Sequence, residues 1–520
     1  MSKKGLARNI SMMSIAVFLS RILGLVRDQV MAFFFGGNYL NDAFNVAYNI
    51  PNLLRRLFGE GALSTAFVPI YNDIGIKEGK EKQIDFALNT LSLLTLFLII
   101  LTLLGMLFAS QIVKLLYPGL APETSAFAIQ LTRIIFPYLF LIGLSSTFIA
   151  ILNSHEYFFM TGLSSALLNI GMILTLVIPY WVWKLPAEEL ILWAAWGVII
   201  GGILQTVINL PYLKKVGYVW KIYISFAGEA LASLWKRFVP SMIGIGIREI
   251  NLVADALMAS FLPVGSITAL GYGNRLMQLP LGIFAISAST AVLPMYSRCV
   301  SQKNYEELAQ GMRFTALSLS YLMLPITLII MLLAPEMVSL LFGRGAFDMR
   351  AALMTSQALV YYSLGLLFYS LNQSLTPLFY AHGDTKTPVK LAAGMVALNI
   401  TLNFILMQFI QHRGLALSTS FTALVNYLVL LYLIKKKMPH ISFGGIAPNI
   451  IKSIIICVIL FFAISPILGY FPADNLLNLA LKILLFSALV FILFYLLGLL
   501  FRLGYLKEQS KDIWKRFQQR

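Results

Sequence analysis

Charge is scarce in this chain, and negative charge is scarcest. Only 12% of the 520 residues are Asp, Glu, Lys or Arg, where soluble domains carry about 25%. Acidic residues number 22 and basic residues 39, for a formal net charge of +17. Cysteine is nearly absent. Cys299 and Cys457 lie far apart and lack metal-ligand spacing, which excludes a disulfide framework and a thiolate metal site. The four histidines (His155, His382, His412 and His440) are scattered near expected helix ends. No loop clusters Asp and Glu at metal-binding spacing, and no nucleophile stands beside a base. Both absences argue against a membrane-embedded glycosyl or phosphoryl transferase. A Gly-rich loop ending in Lys-Ser/Thr is missing too, so the chain is not a P-loop ATPase.

Apolar sequence is what the chain has in abundance: 59% hydrophobic residues and a mean hydropathy of +0.82. Apolar runs long enough to cross a bilayer recur from end to end, leaving no room for a separate soluble domain. The pattern predicts an all-α polytopic membrane protein of about 14 spans, near 10–36, 43–72, 86–117, 126–153, 158–183, 189–213, 237–262, 266–297, 311–343, 350–381, 387–411, 414–434, 446–469 and 475–501. The start, Met1-Ser-Lys-Lys-Gly, resembles a signal peptide. No small-residue cleavage site follows it, so it reads as a retained first helix.

The basic residues fall mostly in short segments between runs, as insertion topology requires. They do not form a basic patch interleaved with exposed aromatics, so nucleic acid is not the expected partner. With a cytoplasmic N-terminus, the inside segments hold about 25 Lys and Arg and the outside segments about four. A miscounted span would scramble that alternation. Both termini are therefore expected in the cytoplasm.

An internal repeat is visible. Ser64-Thr-Ala-Phe-Val-Pro-Ile-Tyr71 resembles Ser289-Thr-Ala-Val-Leu-Pro-Met-Tyr296. Val26–Phe33 faintly matches Val253–Phe261, and Leu168-Asn-Ile170 matches Leu398-Asn-Ile400. All three share an offset of about 225–230 residues. This predicts two pseudo-symmetric six-helix lobes plus two C-terminal helices: residues 1–215, residues 216–438 with a cytoplasmic linker in front, and residues 439–520 with a basic tail. Two lobes inserted the same way up suit alternating access about a central site.

Within the spans lie charges that are costly there, at least ~2.5–3.5 kcal/mol each at mid-bilayer. Lys114, Arg133, Lys452 and Lys482 are near expected helix ends, where snorkelling accounts for them. Arg21, Arg27, Arg55, Arg56 and Arg275 are not so placed, and Arg248 stands beside Glu249. Ser20-Arg21 and Arg27-Asp28 lie on span 1. Arg21 and Asp28 are seven apart and share a helix face. On span 2, Pro51 fits a helix first turn, and Arg56 can pair with Glu60 four residues on. That leaves Arg55 as the better ligand candidate. Arg275 has Gln278, not an acid, one turn ahead. Arg27, Arg55 and Arg275 thus form an apparently unpaired set drawn from both halves. Guanidinium forks suit phosphate oxygens, so the expected ligand is a pyrophosphate or similar anion. Asp255, Asn399, Asn403 and Thr419 are oxygen donors of the kind a sodium ion uses. Interhelical hydrogen bonding explains them equally well.

Ser20-Arg21, Arg27-Asp28, Asp42-Ala-Phe44, Pro51–Arg56 with Glu60-Gly-Ala62, Phe67-Val-Pro69 and Asn274–Met277 resemble the MurJ (MviN) family over essentially the whole chain. These are bacterial lipid II flippases of the multidrug/oligosaccharidyl-lipid/polysaccharide exporter superfamily. The resemblance implies a two-lobed bundle in the cytoplasmic membrane, with a lipid-tail groove on the last two helices. It implies the substrate lipid II, moved outward for peptidoglycan synthesis, cell-wall biogenesis and cell shape. The peptidoglycan synthesis machinery is the partner class that goes with it, beside membrane lipids. It implies cavity arginines at Arg27, Arg55 and Arg275, with Ser20, Arg21, Asp28, Asp42 and Arg56 in matching motif positions. A sodium site at Asp255, Asn399, Asn403 and Thr419 is implied as well. No cofactor is expected beyond sodium or membrane-potential coupling. Many relatives have Glu where this chain has Gln278. The alternatives are a multidrug exporter, which would need an acidic cavity, and an O-antigen-type oligosaccharide-lipid flippase.

Overall fold

The structure, a computed structural model, describes residues 3–57, 62–219, 221–226, 228–441, 444–471 and 475–504. Its elements are helical, and no strand occurs among the described residues. In order they are α1 Lys3–Phe35, α2 Tyr39–Arg55, α3 Ala62–Lys77, α4 Lys80–Leu107, α5 Ala109–Leu116, α6 Pro122–Ile135, α7 Tyr138–Ser154, α8 Phe158–Trp183, α9 Ala187–Val207, α10 Leu210–Val216 and α11 Glu229–Ala259. There follow α12 Ser266–Pro280, a π turn at Leu281–Ala285, α13 Ile286–Ser301, α14 Tyr305–Phe342, α15 Met349–Ser363, α16 Leu366–Ala381, α17 Lys386–Ile410, α18 His412–Lys437, α19 Ile446–Leu468 and α20 Leu476–Leu500.

Among the described residues nine helices are long and apolar enough to cross a membrane, and two bent pairs each add one more. The chain is a multi-pass membrane protein. Fourteen spans were expected. Those at α1, the α2–α3 pair and α11 are not among the helices that qualify: α2 and α3 are 17 and 16 residues long, and α11 carries Glu249 and Asp255 within its apolar stretch.

Contacts divide the chain into two compact units, Met1–Thr268 with Arg344–Asp348, and Ala269–Gly343 with Met349–Arg520. In the first unit α11 packs on α3, α8 lies along α9 and α1 along α8. Glycine makes the α8–α9 approach close: a Cβ on Gly201 would stand 2.8 Å from the Cα of Leu168, and one on Gly171 would stand 2.6 Å from the Cα of Gly201. Small residues let membrane helices pack on backbone contact where no hydrophobic effect separates helix from lipid. Gly201→Leu is expected to splay this pair and lower the melting temperature in detergent by several degrees, and Gly201→Ala by less. Unchanged melting of both variants would contradict this packing.

In the second unit α14 is the spine, with α15, α16, α19 and α20 against it. Asn304 caps α14 by accepting the Glu307 N–H at 3.2 Å, and Glu306 and Glu307 fill the first turn. At the α16–α17 turn, Asp384 accepts Lys437 Nζ at 2.6 Å and the Thr387 hydroxyl at 2.6 Å. The lysine bond, then the threonine donors, hold that carboxyl well below the usual range. The contact therefore stays ionised at physiological pH.

Backbone breaks recur at the repeat offset. A π turn at residues 56–57 has its counterpart at Leu281–Ala285, about 225 residues on. The α6–α7 pair bends by 42° at residues 136–137, and the α15–α16 pair by 43° at residues 364–365. The causes differ locally. Pro137 has no N–H to continue α6. Gly365 abuts the α18 backbone, where a Cβ would stand 2.7 Å from the Cα of Ser420. Pro51 departs from expectation: it lies inside α2, not in its first turn, which Asn38 caps instead.

Candidate functional site

Arg27 projects from α1 and turns back on its own neighbour: Nη2 and Nε reach Asp28 Oδ1 at 2.8 and 3.2 Å. Both side chains are largely buried. The guanidinium also lies 6.0 Å from the centre of the Tyr48 ring on α2, within cation–π range. Arg27 was expected in the unpaired set and Asp28 with Arg21. The geometry corrects both, since adjacent residues on a helix can meet when both side chains bend along it. Arg21 is exposed, and Ser20 offers its carbonyl to Asn169 Nδ2 at 3.2 Å.

Arg55 and Arg56 sit where α2 opens into the π turn, a backbone irregularity common at functional sites. Arg56 Nε binds Glu249 Oε2 at 2.8 Å, across to α11. Glu60, the partner expected for Arg56, lies outside the described residues. Glu249, set beside Arg248 in the sequence, proves to be a tie between helices. Arg55 is half-buried and makes a polar contact of its own.

Asp42 has a different task from the ligand contact implied for it. It is 3% exposed, and both oxygens are engaged: Oδ2 accepts the Gly265 N–H at 2.6 Å, and Oδ1 accepts the Thr268 N–H and hydroxyl at 2.8 and 2.6 Å. A carboxylate on the first N–H groups of a helix satisfies orphan donors and favours the positive end of the helix dipole. Asp42 anchors the turn that opens α12.

In the C-terminal unit, Arg275 stands on α12, partly buried and in polar contact. Gln278 donates to Asn274 one turn back. On α17 and α18 the implied sodium donors are already hydrogen-bonded. Asn403 Nδ2 donates to Asn399 Oδ1 at 3.0 Å, Ser418 Oγ donates to Asn403 Oδ1, and Thr419 Oγ1 donates to the Leu415 carbonyl at 2.8 Å. Asp255 belongs to the other unit, where Asn251 donates to it at 3.3 Å. Of these bonds only Ser418 to Asn403 crosses between helices; the others lie within one helix.

Sequence reasoning missed one intramembrane pair. Lys482 on α20, expected to snorkel, is 7% exposed. Its Nζ lies 2.9 Å from Glu336 Oε1 on α14. The signal was present: each is a lone charge in an otherwise apolar run, and lone opposite charges in a bundle tend to find each other.

A profile of the family described as "Lipid II flippase MurJ" matches residues 31–490. The chain belongs to this family. The lipid II flippase MurJ of Burkholderia cenocepacia is 31% identical over 513 residues, 95% of this chain and 97% of that protein. The probable lipid II flippase MurJ of Vibrio cholerae is 34% identical over 82% of both chains. A solved MurJ structure in an inward closed conformation superposes with a TM-score of 0.77 at 29% identity, over 94% of this chain and 98% of that one. A multidrug-resistance transporter of the MATE family, of the MOP superfamily, follows at 0.68 and 15% identity over 83% of this chain and 99% of that one. That likeness shows the fold alone. MurJ proteins are transporters, so an enzymatic role falls away.

Proposed function

We propose that this chain flips lipid II from the inner to the outer leaflet of the bacterial cytoplasmic membrane by alternating access. Arg27, Arg55 and Arg275 bind the pyrophosphate, and the polyprenyl tail stays in lipid. The family match across residues 31–490 carries this reading. The site residues support it physically. Arg55 stands where α2 meets a π turn, and Arg275 is on α12, which runs into another at Leu281–Ala285. An organic-cation exporter would need net negative charge there. The Arg27–Asp28 bridge fixes Arg27 Nε and Nη2 against one carboxylate oxygen. A carboxylate at this distance orients the fork for a phosphate oxygen.

Either sodium or the membrane potential supplies the bias for return. Purified protein in liposomes is expected to move lipid II when one of these gradients is imposed and not when both are collapsed. Expression in bacteria depleted of their own lipid II flippase is expected to restore growth and cell shape. Failure of rescue by protein that is folded and in the membrane would overturn the assignment. Rescue of an O-antigen defect instead would favour the oligosaccharide-lipid alternative.

A further inference from the structure

Between α10 and α11 the described residues 218–219 and 221–226 form a non-helical strap held to the first unit at three points. Tyr218 is buried and donates its hydroxyl to Tyr71 at 2.7 Å, and the Tyr71 hydroxyl meets His155 Nε2 at 2.7 Å. The Tyr223 N–H donates to Ser92 Oγ at 3.1 Å. Ser225 and Asn89 exchange two bonds, Asn89 Nδ2 to the Ser225 carbonyl at 2.9 Å and Ser225 N–H to Asn89 Oδ1 at 2.8 Å. The last pair mimics a β-ladder on the side of a helix.

The level of the strap follows from α4. Charged residues Lys80, Glu81, Lys82 and Asp85 open that helix, and none follows from Phe86 to Phe108. Asn89 and Ser92 lie four and seven residues past the last charge, or about 6–10 Å along the axis. The strap therefore crosses α4 where its sequence turns from polar to apolar, the level of a membrane–water boundary. At this level it leaves large side chains uncovered: Val219 is 73%, Ile222 74% and Phe226 78% exposed. Trp235, on the first turns of α11, is 53% exposed. Five basic residues (Lys214, Lys215, Lys221, Lys236 and Arg237) and one acidic residue, Glu229, lie between 210 and 237. All six are exposed.

We infer that this strap is a docking surface for anionic phospholipid headgroups. Its apolar side chains enter the acyl boundary while the lysines meet the phosphates. Apolar side chains alone would serve any lipid. The five-to-one charge ratio selects negatively charged ones, because interfacial binding combines apolar insertion with attraction to anionic headgroups. The inference uses only the geometry of the first unit, so it stands or falls separately from the flipping reading.

Hydrogen exchange of the full chain tests it, with the protein in nanodiscs of phosphatidylcholine and in nanodiscs with one-third phosphatidylglycerol. Exchange at Tyr218–Phe226 is expected to slow about fivefold or more with phosphatidylglycerol. Because the attraction is screened by salt, the difference shrinks at high ionic strength. The triple variant K214Q/K215Q/K221Q is expected to lose the difference while keeping its melting temperature. Equal protection in both lipids, or a difference that survives the triple substitution, would overturn the proposal. The first of these outcomes would leave the exposed face to a protein partner.

Discussion

Replacing Arg27, Arg55 or Arg275 by Ala is expected to cut lipid II movement at least about tenfold for each residue. A charge-assisted hydrogen bond is worth about 1.5–3 kcal/mol, and each 1.4 kcal/mol is a factor of ten. Lysine at the same positions should recover part of the loss, since it keeps the charge but not the planar fork. Arg27→Ala alone is ambiguous, because it also takes Nε and Nη2 away from a buried Asp28. Arg27→Ala/Asp28→Asn removes that penalty. The double variant should melt near the wild type and still fail to flip. Outer-leaflet lipid II, measured by accessibility to an external probe, reads the outcome. If all three alanine variants move lipid II at the wild-type rate, the arginines hold helices rather than substrate.

Lys482→Ala should be the most destabilising single change in the second unit. It strands Glu336, whose Oε2 is already buried with no hydrogen-bond partner. Removing one member of a buried ion pair costs about 3–5 kcal/mol. Melting in detergent should fall by several degrees, and folded yield should fall with it. Glu336→Leu/Lys482→Met should recover most of the stability, because paired apolar replacements leave no orphan charge. If the double variant is as unstable as the single one, the pair does more than neutralise itself. The two residues tie α20 to α14, so the last helices owe their position partly to this contact.

The helical class and the approximate positions of the spans could be read from hydropathy. Their breaks could not. Nothing in the pattern near Gly365 announces a bend, since the cause is a backbone on α18 that the sequence does not place beside it. Pro51 looked like a helix start because first-turn proline is common. The capping residue that decides the matter, Asn38, lies thirteen positions earlier. For the arginines, the residue types and their rarity were legible, and their partners were not. Arg56 reaches Glu249 on α11, 193 residues away, a partner that no local spacing points to. Asp42 shows the limit most plainly. A buried acid in a membrane helix reads as ligand-directed until the backbone N–H groups it caps are seen.

A π turn and a bend recur about 225–230 residues apart, once in each unit. The residues behind the two bends are unlike, Pro137 in one and the approach of Gly365 to Ser420 in the other, so the same break in the backbone is reached from different side chains.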